Sequence, residues 1–145
     1  MRVFLDTSVL VAAVLEDHPA HARSFARLER VQNGADKGVV SAHSVAEVYA
    51  TLTKLPVQFR HSPEQALLVV EEDILKYFEL IALEAPDYAV LVREAAMARI
   101  QGGTIYDAVL LKAAAKARVD RVYTLNLKHF QAVGQGNLAK LIFEP

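Results

Sequence analysis

A few side chains in this sequence have the types and spacing to do chemistry together. Asp6 ends the apolar run Val3-Phe4-Leu5. Glu47 closes Ser44-Val45-Ala46-Glu47, and Asp107 closes Thr104-Ile105-Tyr106-Asp107. Thr124 and Asn126 flank the end of a fourth apolar segment. Each acid also has an ordinary structural use. Asp6 is a good N-cap for a helix opening at Ser8. Glu47 and Asp107 each stand three residues after a hydroxyl, the spacing of a capping box. Considered as a set, the three carboxylates suggest more. Drawn to one mostly apolar edge they repel unless something neutralises them, and a divalent cation does so. Oxygen-only ligands with open positions suit Mg²⁺ or Mn²⁺. Such an ion polarises a phosphoryl oxygen and generates hydroxide from bound water, which is phosphodiester chemistry. Helix N-termini at the same edge favour a phosphate.

Short β-type runs alternate with longer helical ones to position these residues. Val3–Leu5, Val39–Val40, Leu80–Leu83, Arg121–Thr124 and Leu141–Phe143 read as strands. Ser8–Leu15 reads as a short helix with Asp6 or Thr7 at its cap. A second helix runs to Gln32 with Pro19 in its first turn and Asn33-Gly34 as its stop. Ser44–Leu55 follows the second strand. Ser62-Pro63-Glu64-Gln65 opens a long helix to about Phe78. Pro86 opens another that Gly102-Gly103 closes, and Thr104–Arg118 and a short turn at Asn126–Phe130 complete the set. The 23 alanines favour helix and close helix–sheet packing, predicting about twice as much helix as strand, above the usual balance. Strands alternating with helices predict a parallel sheet covered on both faces, a doubly wound α/β domain. Ligands of such sheets bind at the carboxyl ends of the strands, where Asp6, Glu47, Thr124 and Asn126 fall. Asp107 follows a glycine pair instead of a strand, so topology alone does not bring it there.

Composition bounds the rest. The 145 residues fit one domain, 1–145, and 53% hydrophobic against 23% charged residues suits a globular core. With no Cys there is no disulfide framework, thiolate metal site or thiol nucleophile. A net charge of −1 supplies no global basic field to recruit nucleic acid. Asp6 interrupts what a signal peptide would continue as an apolar run. The stretch Thr7 to Leu15 is too short to span a bilayer, so a cytoplasmic protein without membrane association is expected. His18 and His21 show no convincing zinc spacing, with Pro19 between them, and His129 is assigned a capping or packing role.

Four segments in order carry a family resemblance: Phe4-Leu5-Asp6-Thr7-Ser8-Val9-Leu10, Ser41-Ala42-His43-Ser44-Val45-Ala46-Glu47-Val48, Gly103-Thr104-Ile105-Tyr106-Asp107-Ala108 and Tyr123-Thr124-Leu125-Asn126-Leu127-Lys128-His129-Phe130. Over essentially the whole chain the sequence resembles the PIN-domain nucleases, most closely the single-domain VapC-type toxins of toxin–antitoxin pairs. The resemblance implies a PIN-like three-layer α/β/α sandwich around a mainly parallel sheet of four or five strands, rich in helix. It implies a Mg²⁺- or Mn²⁺-dependent endoribonuclease. Asp6, Glu47 and Asp107 would be the metal-binding acids, with Thr7, Ser8 and Thr124 as hydroxyls lining the pocket. The family often has a fourth acid at the position of Asn126. The amide brings no charge, so it is read as orienting a metal-bound water and supplies no carboxylate to a second metal site.

RNA would be held by local cations, Lys128 foremost, with Tyr49, Phe59, Tyr77, Phe78 and Tyr106 as candidates for base stacking or a dimer seam. The resemblance also implies a homodimer and a cognate antitoxin, whose arm would lie along an apolar groove lined by Pro19–Gln32, Ser44–Leu55 and the flank Leu52–Val57. Two other phosphate-handling α/β folds fit less well. A phosphoacceptor receiver domain wants two acids after the first strand, and a haloacid-dehalogenase-like phosphatase wants an aspartate where Ser8 stands. A PIN-like domain that binds RNA or protein without cutting is the remaining alternative, and Asn126 is the feature that favours it.

Overall fold

The computed structural model describes residues 1–134 and 136–145. Its elements run β1 (Arg2–Leu5), α1 (Thr7–Val14), α2 (His21–Gln32), β2 (Lys37–Ser41), α3 (Ala42–Lys54), α4 (Pro63–Val69), β3 (Phe78–Ile81), α5 (Ala85–Met97), α6 (Thr104–Lys116), β4 (Arg121–Tyr123), α7 (Leu127–Val133) and β5 (Ile142–Phe143). A π-helical turn, Val70–Leu75, continues α4, and a 3₁₀ turn, Leu138–Leu141, precedes β5. The five strands form one parallel sheet in the order β3-β2-β1-β4-β5. Strands of two to five residues beside helices of up to thirteen make the excess of helix larger than the two-to-one expected.

The strands explain the layers. Side chains alternate between faces of a strand, so Val3, Leu5, Val40 and Tyr123 join one buried cluster, which α1, α2, α3 and α4 complete. Phe4, Val39, Val122 and Ile142 point the other way, into a cluster completed by α6 and α7. Because both faces are covered, β1 reads as a continuous apolar run, as strands of parallel sheets do. Gly38 in β2 is required by close approach. A Cβ there would lie 2.5 Å from Val31 Cγ1 and 2.6 Å from Phe78 Cδ1.

Several local expectations need correction. Ser44 does not open a capping box. Ser41, the last residue of β2, caps α3 by accepting from the His43 N–H at 3.2 Å, because strand and helix meet without a loop. The Ser44 hydroxyl is buried one turn inside, without a partner. Thr104 likewise lies within α6, whose N-cap is Gly103. Gly102-Gly103 does not close α5. That helix stops at Met97, and Arg99 takes the left-handed conformation (φ 55°) that usually falls to glycine. Pro19 sits in the turn before α2, where the His18 ring accepts from the Ala20 N–H at 3.0 Å. The helix from Pro63 changes to π-helical hydrogen bonding at Val70, and Phe78 starts β3 as a core residue. The Asn126 turn becomes α7 and runs to Val133. The Ser62–Gln65 capping box is present as expected.

Candidate active site

The strand order sets the place. From β1 the chain winds outward to β2 and β3, then crosses back to β4 on the opposite side of β1. The connections leaving β1 and β4 therefore diverge at their carboxyl ends and open a crevice. Asp6 follows β1 there, and Thr124 and Asn126 follow β4. α3 leaves β2 with Glu47 in its second turn. α6 feeds β4 at the sheet's amino edge, so its other end, with Asp107 in the first turn, lies at the carboxyl edge. That is how Asp107 arrives without following a strand. Asp6, Thr7, Ser8, Glu47, Asp107 and Asn126 line one cleft of about 430 Å³.

Asp6 both caps a helix and faces the cleft. One oxygen accepts from the N–H groups of Ser8 and of Val9 (3.2 Å), and the other accepts from the Thr124 hydroxyl. It is 1% exposed, and burial raises its carboxyl above the ordinary range although these hydrogen bonds pull it down. Thr124 is fully buried behind Asp6 and accepts in turn from the Asn126 N–H at 2.9 Å. Thr7 donates to Glu47 Oε2 at 2.6 Å, and the Ser8 hydroxyl accepts from the Leu125 N–H at 3.0 Å. These bonds tie the start of α1 to α3 and to the segment after β4. Asp107 is also raised, first by burial and further by the charge of Glu47, against the lowering effect of His129. Two neighbouring acids of one cleft thus both resist ionisation.

Histidines surround the acids in a way the sequence did not disclose. His129 Nδ1 lies 3.5 Å from Asp107 Oδ2 and is mostly exposed, so it neither caps nor packs. His43 Nε2 lies 3.6 Å from Glu47 Oε1 and stacks on Tyr106. His18 lines the cleft beside Thr51. Only the i, i+4 spacing of His43 and Glu47 carried a signal. Lys128 is exposed but does not line the cleft. Lys112 and Lys116 are engaged by Glu94 (3.2 Å) and Asp87 (2.8 Å).

Among the described residues no three His, Asp or Glu side chains form a group that could hold one metal ion by themselves. The donor set suits Mg²⁺ or Mn²⁺ nonetheless. Such ions keep several waters and take one or two carboxylates plus substrate phosphate in place of an all-protein cage. A buried carboxylate and a half-buried one, both pushed toward the neutral form, are the acids a cation would return to the charged form.

A parallel sheet with an acid-lined cleft at its switch point defines a class of α/β domain suited to metal-assisted chemistry on phosphates. The PIN domain model matches residues 3–135, and the chain belongs to the PIN-domain family. It is 30% identical over 116 residues to Ribonuclease VapC27 of Mycobacterium tuberculosis (strain ATCC 25618 / H37Rv), covering 80% of this chain and 79% of that one. It is 35% identical over 124 residues to Ribonuclease VapC40 of Mycobacterium tuberculosis (strain CDC 1551 / Oshkosh), covering 85% of each. Among solved structures, VapC20 of Mycobacterium tuberculosis, described as a Sarcin-Ricin loop cleaving toxin, shares the fold with a TM-score of 0.64 at 14% identity, over 95% of this chain and 93% of that one. VapBC2 from Rickettsia felis, bound to a promoter DNA fragment, gives 0.63 at 22%, over 90% and 92%. No helix of the described residues is long and apolar enough to cross a membrane.

Proposed function

We propose that this chain is a divalent-metal-dependent endoribonuclease, the toxin of a toxin–antitoxin pair, acting on cytoplasmic RNA. The observation that carries the reading is the convergence of Asp6, Glu47 and Asp107 from three separate elements on one cleft. Asp6, Glu47 and Asp107 would hold Mg²⁺ or Mn²⁺, directly or through water. When bound, the ion supplies Lewis acidity toward a phosphoryl oxygen and acidifies water. The chain's own residues do the positioning. Thr124, Ser8 and Val9 fix both oxygens of Asp6, and Thr7 fixes one oxygen of Glu47. Asn126, exposed at the mouth, orients water or substrate by hydrogen bonding. Lys128 stands close enough in sequence to meet the RNA backbone beyond the cleft.

The relatives' ribonuclease names and the toxin–antitoxin complexes among the solved structures support the same reading and a protein antitoxin as partner; a homodimer as the working form is part of the proposal and rests on the family resemblance alone. A second cavity of about 440 Å³ adjoins the cleft through His18 and suits an antitoxin segment. Its apolar walls are Val14 at the end of α1 and Leu15, Pro19, Leu55 and Phe59 on the connections after α1 and α3, and polar and charged residues, among them Glu16, Asp17 and Arg60, make up the rest. The bodies of α2 and α3 do not form it, because α1 packs between them.

The test is cleavage of structured RNAs, transfer RNAs included, with Mn²⁺ or Mg²⁺, beside Asp6→Asn and EDTA controls. Cuts at defined positions that vanish in both controls are the expected result. Failure to cut any RNA, with no Mn²⁺ bound in a parallel titration, would overturn it in favour of a non-catalytic binding module, the reading Asn126 favours.

A further inference from the structure

We infer that the exposed ring of Tyr106, braced by His43, is a stacking platform for an unpaired nucleobase at the rim of the acid cleft. It thereby sets which step of a single-stranded RNA lies over the carboxylates. The inference rests on the ribonuclease reading above.

Tyr106 directly precedes Asp107 on α6. Neighbouring residues of a helix point about 100° apart, so when Asp107 faces the cleft, Tyr106 stands beside it. Tyr106 is 53% exposed, yet its ring is not loose. It lies parallel to the His43 imidazole, with centroids 5.7 Å apart and 5° between planes. His43 is itself held at Glu47, one turn along α3. The stack therefore joins the two helices that supply Glu47 and Asp107, and fixes the ring relative to both acids. A braced ring loses little freedom when a base lands on it.

The charge distribution favours a contact that does not depend on phosphate attraction. The net charge is −1, the cleft is lined by three acids and, among the described residues, by no Lys or Arg, and Lys112, further along α6, is engaged by Glu94. Stacking does not depend on phosphate attraction and tolerates any base. The other aromatic candidates lie elsewhere. Phe78 is in the core, Phe59 lines the second cavity, Tyr77 lies under Lys76, and Tyr49, exposed on α3, stands two residues past Glu47 and so on the other side of that helix.

The experiment titrates the Asp6→Asn protein, in which cutting is blocked, into a single-stranded hexaribonucleotide carrying 2-aminopurine, in Mg²⁺ buffer. Binding should quench the fluorescence. Tyr106→Ala in the same background should weaken binding about five- to hundredfold and abolish the quench, while Tyr106→Phe keeps both. In the cutting protein, Tyr106→Ala should raise KM and blur the cut position with kcat little changed. Unchanged affinity and quench in Tyr106→Ala would overturn the platform and leave the ribonuclease reading standing. So would affinity that falls only in step with the melting temperature, which assigns the pair to holding α3 against α6. A hexamer bound by no variant overturns the platform, and if no RNA is bound or cut by any form the ribonuclease reading falls with it.

Discussion

Replacing Asp6 by Asn should stabilise the metal-free protein and destabilise its metal response. The carboxylate is 1% exposed and raised by burial. The effective penalty for an ion taken out of water is several kcal/mol. Three hydrogen bonds offset part of it. Asn keeps the acceptor for the Ser8 and Val9 N–H groups, but its NH₂ meets a Thr124 hydroxyl that donates toward Asp6. Losing that bond to a charged acceptor costs about 1.5–3 kcal/mol. The balance favours Asn by about 1–2 kcal/mol, or roughly 3–8 °C in Tm. The sign with pH follows from the raised carboxyl. Stability linked to it is complete below the unfolded value of about 3.9 and is lost as pH rises through the folded value, so the advantage of Asn appears near neutrality and disappears in acid. Adding Mn²⁺ at about a hundred times its dissociation constant should raise the wild type by ~2.7 kcal/mol and the variant by little, reversing their order. Scanning fluorimetry at pH 7 and pH 4, with EDTA or Mn²⁺, reads all four conditions. A wild type that already melts above Asp6→Asn in EDTA at pH 7 would refute the electrostatic argument, and equal Mn²⁺ shifts would refute the role in metal binding.

Three further perturbations reach other parts of the molecule. Gly38→Ala drives a methyl into Val31 and Phe78 at 2.5–2.6 Å and should cost about 1–3 kcal/mol in urea unfolding; an unchanged midpoint would show that the α2–β3 contact yields freely. Asp36 is held below the usual carboxylate range by the Arg30 guanidinium at 2.6 Å and by the N-terminal ammonium at 3.0 Å. Its contribution is therefore present above about pH 3.9 and lost as pH falls through its lowered value. Asp36→Asn should lose about 1.5–3 kcal/mol at neutral pH with the difference closing in acid, and a gap that persists at pH 2 would contradict this. Asn126→Asp adds a fourth carboxylate to the cleft, so calorimetry should find tighter Mn²⁺ binding and a lower metal-free Tm; unchanged Mn²⁺ affinity would remove Asn126 from the site.

The parallel α/β class was legible, though not the strand order, because short apolar runs between helical stretches have few other uses in a chain of this length. The helix starts were less so, since the Ser41–Ser44 stretch offers two hydroxyls as caps and only the register of β2 decides for Ser41. The end of α5 was misplaced because Arg99 adopts a backbone conformation that glycine usually signals. No period in the sequence marks the change from α- to π-helical bonding at Val70. The acids were legible as types, but their company was not. Tyr106 meets His43, and His129 meets Asp107, through tertiary packing of α3, α6 and α7, which local spacing does not encode.

The carboxylates of this chain also sort themselves by environment, and the sorting separates scaffold from site. Asp36 and Asp87 are lowered, each first by a hydrogen bond from a cation, Arg30 or Lys116, and neither lines the cleft. Asp6 and Asp107 are raised by burial, and among the described residues no Lys or Arg pairs with either. A raised carboxyl alone does not mark a site. Asp73 is raised too, by burial and by Glu72, and is bonded by Gln32, yet it lines no part of the cleft. What sets Asp6 and Asp107 apart is that they open into the same cavity as Glu47. A cation held there by one or two of these acids, as proposed above, would favour their charged forms and so stabilise the loaded domain over the empty one.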